Sequence, residues 1–264
     1  MLNEIVLKNY RNFTDKTLSF TRQMNIIEGK GKTNLLEGIA ALVDPSAKLK
    51  ATDKPFNGKK SDIPDLTGVL DNSILKKSYT TKKGVKPIEN NELIIYHGTN
   101  REIITSELNE DTGLNPLYGG GFYFLNWFKE DTTFKEYFNE IINQTLLDLT
   151  GFGSVKYENG GLSITHPDYD TIPLIDTNKE IQFTVHLIGD ILSRIAIKAS
   201  HLYGKNSALN VSALILIDDF EKHFSYEMSK HFVTVLTTMF PKCQFILTTQ
   251  NPLYYSPNEL INLD

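Results

Sequence analysis

Five residues near the amino terminus, Gly29-Lys30-Gly31-Lys32-Thr33, have the composition of a loop that holds phosphate. Such a loop needs glycines, so that backbone N–H groups can approach the phosphates closely. It needs a lysine as a compact positive charge, a Ser or Thr hydroxyl for magnesium, and the N-terminus of a helix behind them. Lys32, Thr33 and Asn34 open the run TNLLEGIAALV, in which Leu35, Leu36, Ile39, Ala40 and Val43 recur at helical spacing. The full pattern G-x-x-x-x-G-K-[ST] asks for a glycine where this chain has Ile26, so the loop reads as shortened. A solvated Gly/Lys turn is the alternative reading of the same five residues.

The second constellation is ALILIDDFEKHF. An acid at the carboxyl end of a buried parallel strand stands where open α/β sheets bind their ligands. There Asp218 would hold magnesium through water, and Asp219 would orient or deprotonate an attacking water. The plainer reading is that one of the two caps the following turn. The third segment, QFILTTQNP, is a buried strand followed by a polar turn about thirty residues after Asp218.

These residues need elements to hold them. Glu4 to Tyr10 and Leu18 to Ile27 alternate as short strands, and Leu93 to Tyr96 reads as a buried one. A helix is expected from Phe128 to Leu149, a hairpin from Lys156 to Ile164 around Asn159 and Gly160, and an amphipathic helix from Ile181 to Tyr203. Ala213 to Ile217 and Gln244 to Thr249 are apolar strands flanking a helix from Tyr226 to Phe240. Apolar strands alternating with helices imply a parallel sheet covered by helices. The 264 residues suit one domain, 40% hydrophobic and 22% charged, with a formal net charge of -5 that argues against a wholly nucleic-acid-binding surface. No apolar run is long enough to span a bilayer and no signal-peptide core opens the chain, so a cytoplasmic protein is expected. Cys243, the single cysteine, lies in the apolar run CQFIL and reads as a small buried hydrophobe. His97 and His186 read as core histidines, and no metal-ligand spacing of His and Cys is present. Lysines cluster between Lys48 and Lys86 among Pro and Gly, which marks residues of about 46–90 as a lysine-rich flexible insertion; a basic contact for nucleic acid is the sharper alternative.

Taken in order, the segments resemble the RecF/SMC-like ABC-type P-loop ATPases, including bacterial ATPases of the overcoming-lysogenisation-defect and phage-defence kinds. LNEIVLKNYRNFTDKTLSF is similar to that family's opening strand pair, with its turn at Tyr10, Arg11 and Phe13. NIIEGKGKTNLLEGIAAL looks like its phosphate loop and helix, while IIYHGTNR and NWFKED resemble segments of one branch. IPLIDTNKEIQFTVHLIGDILSRIAI aligns with the signature region, and the stretch from LILIDDFEKHF to FILTTQNPLYY with the Walker B strand through the switch strand. The resemblance implies one ABC-ATPase-like α/β head over residues 1–264: a parallel-sheet core flanked by helices, with an N-terminal antiparallel β lobe. It implies ATP and Mg2+ as cofactors. Gly29, Lys30, Gly31, Lys32, Thr33, Asn34 and Arg11 would contact the nucleotide, Thr33 and Asp218 the metal, with Asp219 and Gln250 in catalytic roles.

The chain departs from the family pattern at several of these places. The signature falls on Thr177, Asn178, Lys179 and Glu180, without its Ser and Gly. Asp219 is one methylene shorter than the usual Glu. Gln250 replaces the switch His, and can hydrogen-bond a phosphate but not carry a proton at neutral pH. The expectation is therefore an ATP-binding subunit with weakened or lost hydrolysis. It would pair with another head, like or unlike itself, and control a separate effector in phage defence or DNA repair. The alternative is a pseudo-ATPase acting as a structural or inhibitory protein-binding module.

Overall fold

The computed structural model describes residues 1–43, 49, 53, 63–71, 73–78, 93–98, 132–198 and 210–264. Three short, mostly apolar stretches form the centre: β3 (Met24–Glu28), β10 (Ala213–Ile217) and β11 (Gln244–Thr248). With β6 (Leu93–His97) and the short β12 (Leu260–Asn262) they make a five-stranded sheet in the order β12-β3-β11-β10-β6, every pairing parallel. A strand covered on both faces has no polar side, which is why ALILI and QFILT read as runs and not as alternations.

The sheet divides the core in two. Ile27, Ile94, Leu214, Leu216 and Ile246 face helix α1 (Lys32–Val43) and an antiparallel sheet whose strands run in the order β2 (Phe13–Ser19), β1 (Leu2–Tyr10), β4 (Asp65–Leu70), β5 (Ser73–Ser78). Ile26, Ile95, Ile215, Ile217, Phe245 and Leu247 face helices α2 (Thr132–Thr150), α3 (Lys179–Lys198) and α4 (Tyr226–Met239). Buried Gln244 fastens the two sheets together: its Oε1 accepts from the Leu2 amide and its Nε2 donates to the Leu2 carbonyl, both at 2.7 Å. A third sheet, the meander β7 (Gly153–Glu158), β8 (Gly161–His166) and β9 (Tyr169–Pro173), follows α2.

The α/β architecture with its N-terminal antiparallel lobe is as expected. The segment Leu18 to Ile27, expected as one strand, is two. β2 (Phe13–Ser19) ends and β3 begins around a turn in which Asn25 accepts from the Thr21 amide at 2.7 Å and donates to its carbonyl at 3.1 Å. Within the lysine-rich stretch, β4 (Asp65–Leu70) and β5 (Ser73–Ser78) form a hairpin, with β4 paired to β1 (Leu2–Tyr10). Lys77 of β5 donates to the Ala41 carbonyl at 2.6 Å, satisfying the end of α1. The other lysines of that stretch except Lys76, and the NWFKED and GTNR segments beyond Gly98, lie outside the described residues. Among the described residues, no helix is long and apolar enough to cross a membrane.

Candidate functional site

The loop between β3 and α1 is three residues, Gly29 to Gly31. Gly29 and Gly31 sit at φ +97° and +93°, left-handed conformations that make so tight a strand-to-helix turn possible. The Leu35 amide makes the first helical bond, to the Gly31 carbonyl at 2.9 Å. The amides of Lys32, Thr33 and Asn34 are thereby first-turn donors without a helical acceptor, at the positive end of the helix. Lys32 folds back over the loop, its Nζ 3.0 Å from the Gly29 carbonyl. The Lys30 amide donates to the Asp264 carboxylate at 3.2 Å, so one loop donor already holds an anion of the chain itself.

The β1–β2 turn leans on this loop. Asn12 accepts from Asn34 at 2.7 Å and lies so close to Gly31 that a Cβ there would stand 2.0 Å from its amide nitrogen. Arg11, at φ +51°, turns its guanidinium to Glu37, to Asp53 at 3.4 Å and to Asn34 at 3.0 Å. Arg11 is thus neutralised by two carboxylates and braces α1.

Both acids follow the carboxyl end of β10, beside that of its parallel neighbour β11. Asp218 is buried, and accepts from the Thr33 hydroxyl and the Thr248 hydroxyl, each at 2.6 Å. Its amide donates to the His97 carbonyl at 2.8 Å. The Asp219 amide donates to the same Thr248 hydroxyl at 2.7 Å, with Asp219 at φ +50°, a region that aspartate tolerates better than most side chains. Tyr96 also looks toward this point. Burial pushes its hydroxyl pKa well above the usual tyrosine range, with the Asp218 carboxylate adding to the effect. Gln250 is exposed just past β11, in the segment that bonds the end of β3 through the Thr249 amide and the Ile27 carbonyl at 3.0 Å.

The four signature-equivalent residues lie at the start of α3, where Asn178 Oδ1 accepts from the Ile181 amide at 3.0 Å. Glu180 is engaged in capping α4, accepting from the Ser225 amide at 2.7 Å and its hydroxyl at 2.9 Å. The position is therefore anionic and occupied.

The structure brings together Gly29 to Asn34, Asp218, Asp219 and the Gln250 segment. Arg11 is beside them but turned to its acids. Residues not singled out from the sequence are Asn12, Glu37, Asp53, Thr248, Thr249 and Glu221. The doublet Thr248-Thr249 after a buried strand and the Glu221 of DDFE were visible signals, but only the register of β10 on β11 makes partners of them. His97 and His186 are core histidines as read. His97 lies 3.2 Å from buried Asp190, which also pairs with Arg194 at 2.8 Å. Burial, with Lys179 adding, lowers the His186 pKa to about 4. Cys243 is buried, its thiol pushed up to about 12 by burial. No cluster of three metal-ligating His, Cys, Asp or Glu side chains occurs among the described residues.

No family model matches the chain. It is 36% identical over 91 residues to the DNA replication and repair protein RecF of Bacillus cytotoxicus, a match covering 32% of this chain and 24% of RecF. With RecF of Staphylococcus epidermidis the identity is 35% over 107 residues, 37% of this chain and 29% of that protein. The matches thus span under a third of these relatives' length. Among solved structures, an SMC head bound to the C-terminal winged-helix domain of ScpA superposes with TM-score 0.60 at 13% identity, covering 99% of this chain and 93% of the other. An SMC head from Pyrococcus furiosus gives 0.53 at 11% identity, covering 99% and 92%. Two-sided burial of a parallel sheet, a tight strand-loop-helix turn beside paired acids, and this likeness agree: the chain has the fold of the SMC heads and is similar over about a third of its length to RecF.

Proposed function

We propose that this head binds ATP with magnesium, hydrolyses it slowly or not at all, and uses nucleotide occupancy to control a partner. The observation that carries the reading is the 2.6 Å hydrogen bond between the Thr33 hydroxyl and the Asp218 carboxylate, residues 185 apart in sequence. A hydroxyl and a carboxylate at a helix N-terminus are hard oxygen donors of the kind magnesium takes in phosphate sites, so the residues fit the ion. Magnesium would neutralise charge on the phosphates when bound. Lys32 and the first-turn amides of α1 would hold the phosphate chain, with Gly29, Lys30 and Gly31 shaping the loop and Asn34 beside it. Asp219 would orient water, and Gln250 would donate a hydrogen bond to the terminal phosphate.

Weak turnover follows from the same residues. Asp219 is short, Gln250 carries no charge and Glu180 repels phosphate where a second head's nucleotide would lie. Loss of one transition-state contact costs ~2.7–4 kcal/mol. A partnership with a second head, like or unlike, then relies on that head's own signature face. The effector would be a separate protein, in DNA repair or phage defence; the RecF relatives are named for DNA replication and repair. Nucleic-acid contact through Lys48–Lys86 would show as affinity falling steeply with salt.

A second reading, a pseudo-ATPase that binds proteins without nucleotide chemistry, is favoured by the three-residue loop and by Asp264 on its Lys30 amide. Calorimetry of Mg-ATP binding to the wild type and to Lys32→Ala, with phosphate release followed in the same samples, separates the two. Binding that disappears in Lys32→Ala supports the ATP-binding head. No binding by the wild type at millimolar ATP overturns it in favour of the second reading.

A further inference from the structure

One buried acid joins the two turns at the carboxyl end of the sheet. Glu221 is 3% exposed, a burial at which a carboxylate persists only when hydrogen-bonded. Its Oε1 accepts from the Thr249 hydroxyl at 2.6 Å. Its Oε2 accepts from the Gln250 amide at 3.3 Å and from the Asn251 side-chain amide at 3.2 Å. The Thr249 hydroxyl in turn accepts from the Asn251 amide at 2.9 Å, closing a ring of bonds over three consecutive residues.

The neighbouring threonine makes the parallel bond, Thr248 to Asp218. Two consecutive threonines of one turn are therefore each tied to an acid of the other. Between those acids the Phe220 amide donates to the Thr248 carbonyl at 3.2 Å, and past them the chain turns on short backbone bonds, Lys222 to the Asp219 carbonyl at 3.0 Å and Phe224 to the Glu221 carbonyl at 2.7 Å. Phe220, fully buried, packs at 6.2 Å on Tyr255, whose hydroxyl burial and then Glu221 hold well above its usual pKa. Glu221 is thus held by Thr249 and Asn251 and in turn holds the backbone of Gln250, one residue past the Thr249 amide that bonds the Ile27 carbonyl at the end of β3.

We infer that Glu221 is a positioning residue: it fixes the Gln250 segment relative to Asp219, so that water-orienting acid and phosphate sensor move as one body. Its bearing on nucleotide rests on the ATP-binding reading above; the positioning itself does not. Glu221→Gln keeps the shape but turns an amide N–H₂ toward donors, whereas Thr249→Val leaves the carboxylate in place and removes two bonds, the one to Glu221 and the one from the Asn251 amide.

The test is amide hydrogen exchange on the full chain, without nucleotide and with Mg-ATP, beside thermal melting. In Glu221→Gln, exchange at the Gln250 amide is expected to rise about tenfold while β10 and β11 keep wild-type protection; Thr249→Val, which frees the Asn251 amide directly, should show a smaller rise at Gln250. Where ATP binds, its affinity should change less than threefold in Glu221→Gln, while ATP-induced protection of 249–251 and any turnover are lost. Unchanged exchange at Gln250, or a rise spread evenly over the sheet with a matching fall in melting temperature, overturns the inference. Failure of the wild type to bind ATP would sink the nucleotide reading alone, since exchange without nucleotide still reads the strut. Should Glu221→Gln not fold, Thr249→Val carries the comparison at the Gln250 amide, whose acceptor is Glu221: no rise there overturns it.

Discussion

The two halves of the candidate site are built differently. The acid half, the turns after β10 and β11 with α3 beneath the sheet, is over-determined. Asp218 accepts two hydroxyls, Glu221 accepts three donors, and α3 buries Gln182, Thr184, His186, Asp190, Ser193 and Arg194. The loop half, between β3 and α1, is thin: three loop residues, two left-handed glycines, and braces from half-exposed Arg11 and exposed Asn12. The difference teaches where such a site can vary. Bonds that share buried partners fail together when one is lost, so the acids are held in place by their neighbours' stability. A surface loop has no such neighbours, and can shorten while the fold persists.

The largest expected effect lies beneath the acid half. His186 has a folded pKa of about 4 against an ordinary 6.5, because burial, and then Lys179, disfavour its charged form. The unfolded chain therefore takes up the proton first. The contribution to stability is complete above pH 6.5 and is lost as pH falls toward 4, by up to about 3 kcal/mol. Urea unfolding across that window should show a slope in the wild type that His186→Gln removes, whatever its own baseline. Equal slopes in both proteins would show that the native state accepts a proton at this site readily, and the claim of over-determination would lose one support.

Next is Thr248→Val, close in shape but without the hydroxyl that donates to Asp218 and accepts from the Asp219 amide. Two buried partners lose a bond at once, for a cost of about 2 kcal/mol in chemical denaturation. A loss below about 0.5 kcal/mol would mean that water replaces the hydroxyl, and the two halves would then be equally permissive.

Gly31→Ala probes the thin half. The new Cβ meets Asn12, but that amide is the end of a side chain able to swing away; the φ of +93° is not so easily changed. Strain of about 1–2 kcal/mol is expected, and it should persist in an Asn12→Ala background. Recovery in the double variant would assign the cost to the contact instead.

How far the sequence reveals this division follows from the same physics. ALILI, QFILT and the helical spacing after Lys32 are local patterns, and each became the element it suggested. The hairpin β4–β5 is hidden because DLTGVL and SILKKS bury one face only and carry two lysines, of which Lys76 is exposed and Lys77 reaches the end of α1, so their composition resembles a solvated loop. β9 and β12 are short and sit at sheet edges, where few residues carry a pattern. Lys32, Thr33 and Asp218 were legible through motif and placement. Glu221 and Asn12 were not, because Glu221 finds partners 28 to 30 residues away and Asn12 finds them 18 to 22 away. No local spacing encodes such pairs; they exist only once the strands are in register.

The smallest expected effect is on Asn12, and it decides what the thin half is for. Asn12 makes one good bond, to Asn34 at 2.7 Å, and one long one, to the Lys30 carbonyl at 3.4 Å, both at the surface. Asn12→Ala should cost no more than about 0.5 kcal/mol of stability, since water satisfies the freed groups. Its consequence for ligand is the informative part. The side chain lies against Gly31, on the loop that would wrap the phosphates. If the loop has shortened around a nucleotide, removing Asn12 leaves Mg-ATP affinity unchanged or raises it. A tenfold fall would instead make Asn12 a ligand of the nucleotide, supplying from the β1–β2 turn a contact that the missing loop residues no longer give. The thin half would then be rebuilt from a second element, and its contrast with the acid half would be one of origin and not of strength.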